Sequence, residues 1–179
     1  MNEEQHKRLE KIRSDGNRRQ KQNEMHIKLK AIIPWESFSF LSPSESIEFR
    51  ETTEKWPTDK WENKLFIQTL ITASETITEI LKEFVKLNGG RKAYFFSSNY
   101  DFGLIEVSKE LLINIWRDLI ELDGDEIFCY LPNTPDFICI EKTEDVFVGH
   151  ETKGKHWIYE VTFSNANLKK KLINTFSHH

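Results

Sequence analysis

Apolar residues recur every three or four positions in two long stretches of the chain and at nearly every second position in much of the remainder. Trp61, Leu65, Ile67, Leu70, Ile71, Ile77, Ile80, Leu81, Phe84 and Val85 keep the first rhythm, which predicts one helix over 58–87. Thr58 or Asp59 offers a cap after Pro57, and Asn88-Gly89-Gly90 offers a left-handed stop. A second helix is predicted over 109–121. Its apolar face is Leu111, Leu112, Ile115, Trp116, Leu119 and Ile120, and its polar face is Glu110, Asn114, Arg117, Asp118 and Glu121. Ser108 caps it and Asp123-Gly124-Asp125 ends it.

The alternating stretches predict strands. AYFFS (93–97) and FGLIEV (102–107) flank a Ser-Asn-Tyr-Asp turn. Further strands are predicted over 127–131, 136–140, 146–148 and 157–163, joined by the turns PNTP, KTED and ETKGK, and 165–176 forms a closing helix. Short connections between consecutive strands imply antiparallel pairing. Helices in a run, then strands, then a helix give an α+β fold. We expect an antiparallel sheet of about five to six strands packed against two or more helices. Its core should include Leu65, Leu70, Ile77, Leu81, Phe84, Phe95, Leu104, Leu112, Trp116, Leu119, Phe128, Ile138 and Tyr159 or Ile158.

The beginning of the chain has a different texture. Residues 1–24 hold almost no core-forming side chains beyond Leu9 and Ile12, which predicts a basic, solvated helix or arm. Apolar content begins at Met25, and Pro34 ends any helix at about Ile33. A single α+β domain is expected over 25–177. Ser42-Pro43-Ser44-Glu45 is a helix start, with Ser42 as cap and Glu45 completing a capping box, followed by a short helix to about Thr53. His178 and His179 read equally as native sequence or as the remnant of a tag and are set aside.

Composition narrows the class. The 179 residues are 38% hydrophobic and 12% aromatic, too aromatic for wholesale disorder. No stretch approaches the roughly 18 apolar residues of a spanning helix, and MNEEQHKRLEK lacks the apolar segment of a secretory signal. Cys129 and Cys139 lie in neighbouring predicted strands and suit buried thiols. Pairing about the PNTP turn puts Cys139 near Phe128 and leaves only a diagonal disulfide with Cys129.

The net charge of −4 conceals segregation. Residues 1–30 carry +4, 31–96 carry −2, 97–147 carry −9 and 148–179 carry +3. Such asymmetry bears on partners rather than on fold. It points to Glu110, Asp118, Glu121, Asp123, Asp125 and Glu126 as one acidic helix-plus-loop face that would steer and hold a basic protein partner. The alternative is a surface that confers solubility and binds nothing.

The sequence holds candidates for two other chemistries. His150, Glu151 and His156 sit in a lysine-bearing turn, where the histidines could act as acid and base of a small hydrolase or nuclease with Lys153 or Lys155 on a phosphate. Their spacing is not HExxH, no third metal ligand is in sight, and the adjoining negative charge repels a polyanion. The arm's Arg13, Arg18, Arg19 and Lys21 could serve a nucleic-acid-associated module, but no aromatics interleave them as stacking platforms. Asp101 and the Asp123–Glu126 loop fit turn chemistry better than a calcium loop. No GxxxxGK[ST], GxGxxG or GxSxG occurs. We therefore expect no cofactor, no metal and, on balance, no enzyme.

The stretches SSNYDFGLIEVSKELL, WRDLIELDGDEIF, TPDFICIE and GHETKGKHWIYE resemble small bacterial proteins encoded beside polymorphic or contact-dependent toxins, the immunity type, over roughly 25–163. No functional residue is carried over from that resemblance. It implies a cytoplasmic protein that binds and blocks a toxin C-terminal domain. An acidic inhibitor face would fit a toxin whose active site is basic, as in a nuclease.

Overall fold

The computed structural model describes residues 3–53, 63–68, 71–97, 103–122, 124–144 and 157–174. Helix α1 (Glu3–Lys30) leads through a single 3-10 turn (Trp35–Ser37) into strand β1 (Phe38–Phe40) and helix α2 (Pro43–Thr53). Strand β2 (Lys64–Gln68), helix α3 (Ile71–Val85), strands β3 (Lys92–Ser97) and β4 (Ile105–Ser108), and helix α4 (Lys109–Leu122) follow. Strands β5 (Glu126–Tyr130), β6 (Phe137–Glu144) and β7 (Trp157–Phe163) and helix α5 (Ala166–Asn174) complete the order. The fold is α+β, and every strand pair in its seven-stranded sheet is antiparallel, in the order β1-β4-β3-β5-β6-β7-β2.

The sheet is one to two strands wider than its sequence pattern predicts, because both edge strands escape that pattern. β1 has only three residues. β2 lies inside the helix predicted over 58–87. Leu65 and Ile67 face the core there, while Phe66 is 50% exposed. This is strand alternation, and pairing with β7 overrides the helical spacing of the longer run. Trp61 and Leu70 lie outside the described residues. Lys142, Thr143 and Glu144 of the KTED segment are also strand rather than turn, pairing with Tyr159, Ile158 and Trp157, and Asp145 lies outside the described residues. The predicted strand at 146–148 falls outside the described residues.

Both faces of the sheet are covered. One carries α3, α4, α5 and the end of α1. Ile77, Ile80, Leu81 and Phe84 of α3 meet Leu112, Trp116, Leu119 and Ile120 of α4, Leu168 and Leu172 of α5, and Phe95, Cys129, Ile138, Val161 and Phe163 of the sheet. Met25 and Leu29 bring the end of α1 into this core, and His26 lies 5.1 Å from the Phe38 ring. On the opposite face a smaller cluster of Leu104, Phe128, Tyr130, Phe137 and Cys139 packs with Phe49 of α2. In the chain α2 lies between β1 and β2, the two opposite edges of the sheet. Of the expected core, Leu65 and Tyr159 are half-buried against it, and all the other described members except the alternative Ile158 are buried.

The helix ends mix expected and unexpected devices. The Ser42–Glu45 capping box is formed: the Glu45 amide donates to Ser42 Oγ at 3.2 Å, and the Ser42 amide donates to Glu45 Oε2 at 2.9 Å. Ser108 Oγ accepts from the Leu111 amide, and Asn165 Oδ1 from the Leu168 amide. The end of α3 differs from expectation. Gly89 and Gly90 are not left-handed; positive φ among the described glycines occurs at Gly103 and Gly124. The Lys109 ammonium instead donates to the carbonyls of Val85 (2.5 Å) and Asn88 (2.6 Å). A cation there satisfies carbonyls that a helix end leaves without intrahelical partners.

Candidate acidic surface and the carboxylate row

Helix α4 holds its outward face in register through its buried one. Glu110, Asp118 and Glu121 are exposed, and so is Asp125 just beyond the helix. Gly124 (φ 103) and Asp125 (φ 63) are both left-handed, and the Asp125 amide donates to Ile120 O at 3.0 Å, closing the helix. Asp123 lies outside the described residues.

The −9 segment contains three basic residues, and each has a local partner. Lys109 is tied to the end of α3. Lys142 Nζ sits 3.3 Å from Glu121 Oε1. The Arg117 guanidinium lies 5.6 Å from the Trp116 ring centroid, a cation–π arrangement. Glu121 is thus paired with Lys142. Glu110, Asp118 and Asp125 project with no ion pair among the described residues.

Glu126 belongs elsewhere. Side chains alternate along a strand, and Glu126 shares the parity of Phe128 and Tyr130, on the face of the sheet away from α4. It pairs in register with Glu141, and Glu141 pairs with Glu160. Three carboxylates therefore stand side by side across β5, β6 and β7. Glu160 is only 8% exposed and is ion-paired with Lys64 of β2. Burial, and then its neighbour's charge, pushes both Glu126 and Glu141 above the ordinary carboxylate value. Sequence reasoning missed this row, although a signal for it existed. The PNTP turn that sets Cys139 opposite Phe128 also sets Glu141 opposite Glu126.

Like charges directly opposite one another destabilise a sheet by about 0.2–1 kcal/mol. A carboxyl whose folded pKa is raised loses stability as pH rises from its ordinary value, 4.5, towards the folded one. Below that range the penalty is absent. Glu141→Gln is therefore expected to stabilise the protein by about 0.5 kcal/mol at pH 7 and to give no gain at pH 3.5. Urea denaturation at the two pH values checks this, and an equal gain at both would rule out charge repulsion as the cause.

The remaining candidates separate cleanly. Cys129 and Cys139 are free and buried, on opposite faces of the sheet, so even the diagonal disulfide is excluded by alternation. Burial raises both thiols, which keeps them protonated and unreactive. His150, Glu151, His156, Lys153, Lys155 and Asp101 lie outside the described residues. Arg13 and Arg19 are exposed on α1, whereas Arg18 turns inward. Its Nη2 crowds Gly103, where a Cβ would come within 2.4 Å, and its Nε and Nη2 are buried without a hydrogen-bond partner. Among the described residues no group of three His, Cys, Asp or Glu side chains could hold a metal ion, and no helix is long and apolar enough to cross a membrane. No protein-family model matches the chain, and no curated protein matches it.

Proposed function

We propose that this protein is a non-enzymatic binding module of the immunity type, whose acidic α4 surface docks on a basic protein such as a toxin C-terminal domain. The supporting observation is the state of the segment's cations. Lys109 is drawn to the end of α3 and Lys142 to Glu121, which leaves Glu110, Asp118 and Asp125 exposed without an ion pair among the described residues, beside the exposed Arg117. Such a field raises encounter rates with a positively charged partner and sets orientation more than it adds affinity. A rigid helix is a suitable platform, because its carboxylates keep fixed spacing.

The test begins with the gene directly upstream. Where it encodes a toxin domain, co-expression with this protein should restore growth. The double reversal Glu110→Lys/Asp118→Lys should slow association about ten-fold at low salt and flatten its salt dependence. Asp125 is left unchanged because its left-handed backbone suits aspartate. Circular dichroism should be unaltered, since exposed substitutions usually shift stability by about 0.5 kcal/mol. An unchanged association rate and salt slope would place binding elsewhere on the molecule.

A further inference from the structure

A cavity of about 470 Å³ opens between α2 and the β5–β6 turn, on the side of the sheet away from α4. Its inner wall is aromatic. Phe49 stands edge-on to Tyr94, with centroids 5.3 Å apart, and edge-on to Tyr130 at 5.1 Å. Its mouth carries the exposed carboxylates of Glu45 and Glu48, and Pro132 and Thr134 close the other side. No basic side chain lines it among the described residues. The nearby Lys92 is committed to Glu106 at 2.8 Å.

The walls are held in place from outside the cavity. Asn88 Nδ2 donates to Pro132 O at 2.6 Å, which pins the turn. The capping box fixes the start of α2 and keeps Glu45 ionised, since its hydrogen bonds with Ser42 lower its pKa. Burial and the Glu106 carboxylate push the Tyr94 phenol above its ordinary value, so it stays neutral at working pH. A preformed aromatic wall with a few placed polar groups is the usual make-up of a ligand pocket.

We infer that this cavity receives an arginine side chain presented by a partner protein. A guanidinium stacks on aromatic side chains and offers a planar fork of donors to carboxylates, and Phe49, Tyr94, Glu45 and Glu48 line this cavity. A lysine ammonium can use the charge but not the fork. A neutral or acidic side chain would gain nothing from the negative charge of Glu45 and Glu48. The inference rests on the reading of the partner as a basic protein, but its test uses the isolated protein and needs no partner.

Amide NMR titration of the full chain with acetyl-Gly-Arg-Gly-amide should give saturable shifts confined to the surroundings of Phe49, Tyr94 and Thr134. The citrulline peptide, of the same shape without charge, should bind at least about five-fold more weakly. The lysine peptide and free L-arginine should both bind more weakly than the arginine peptide. Glu48→Gln should weaken the arginine peptide about five-fold with an unchanged melting temperature. Tyr94→Leu should weaken it by a similar factor through loss of the ring. Diffuse shifts, equal binding of arginine and citrulline, or tighter binding of lysine or the free amino acid would each overturn the assignment. Those outcomes would leave the α4 surface untouched, and its own charge-reversal test stands apart.

Discussion

Replacing Trp116 by alanine is expected to remove about 4 kcal/mol of stability, within the usual range for a buried tryptophan. The residue is 2% exposed and lies where α3, α4 and β7 meet. Its Nε1 donates to Thr78 Oγ1 at 3.1 Å, and Thr78 Oγ1 donates in turn to Ser74 O at 2.8 Å. Tyr159 meets the indole edge-on at 5.5 Å. Truncation therefore opens a void and leaves a hydroxyl without its donor. Domains of this kind hold about 5–15 kcal/mol in total, so most of the margin would be lost. Trp116→Phe separates the two contributions. It keeps most of the volume and loses the hydrogen bond, at an expected cost of about 1 kcal/mol. Urea midpoints for the two variants check the division. A loss below about 2 kcal/mol for the alanine variant would mean that the interface between α3 and α4 collapses around the gap.

The second large effect concerns Lys64. Lys64→Met is expected to cost about 3 kcal/mol at pH 7, because it strands a nearly buried Glu160 beside Glu141. The loss should shrink on acidification as Glu141, which burial and the Glu160 charge hold above the ordinary carboxylate value, takes up a proton and stops repelling Glu160. Lys64→Met/Glu160→Leu should recover most of the stability, since a buried ion pair replaced by apolar side chains is often neutral or better. A single variant equally destabilised at pH 7 and pH 4 would show that the lysine stem's packing, not its charge, matters.

How much of this was legible in the sequence depends on how far apart the interacting residues lie. The Ser42–Glu45 box, the Ser108 cap and the span of α4 are local, and each was readable from a few neighbouring residues. The Phe128–Cys139 register was readable because one short turn fixes it. β2 was hidden because KLFIQ sits next to a genuine amphipathic helix and takes its strand form from β7, in a distant part of the chain. The Lys109 clamp on α3 was hidden for a similar reason, since a lysine at the start of one helix gives no sign of ending another. In the candidate surface, Glu110, Asp118 and Glu121 share a helix face as spacing requires. Glu126 parts from them because one further residue of strand turns a side chain to the other face of the sheet. The cavity beside α2 draws on Phe49, Tyr94 and Pro132, which no local pattern links.

The placement of β2 at the far edge sets a timetable for synthesis. β2 ends at Gln68 and its partner β7 starts at Trp157, about 90 residues later. At about 5–20 residues per second, a ribosome needs roughly 5–20 s to cover that distance. During that interval Leu65, Phe66 and Ile67 have no strand to join, and Lys64 has no Glu160. β3, β4, β5 and β6 can pair with one another before β7 emerges, so the middle of the sheet can assemble first and the edge can close last. An exposed apolar strand waiting for its neighbour is also a template for a wrong one. A charge on a strand edge disfavours such pairing, and Lys64 is the charged residue at the head of β2.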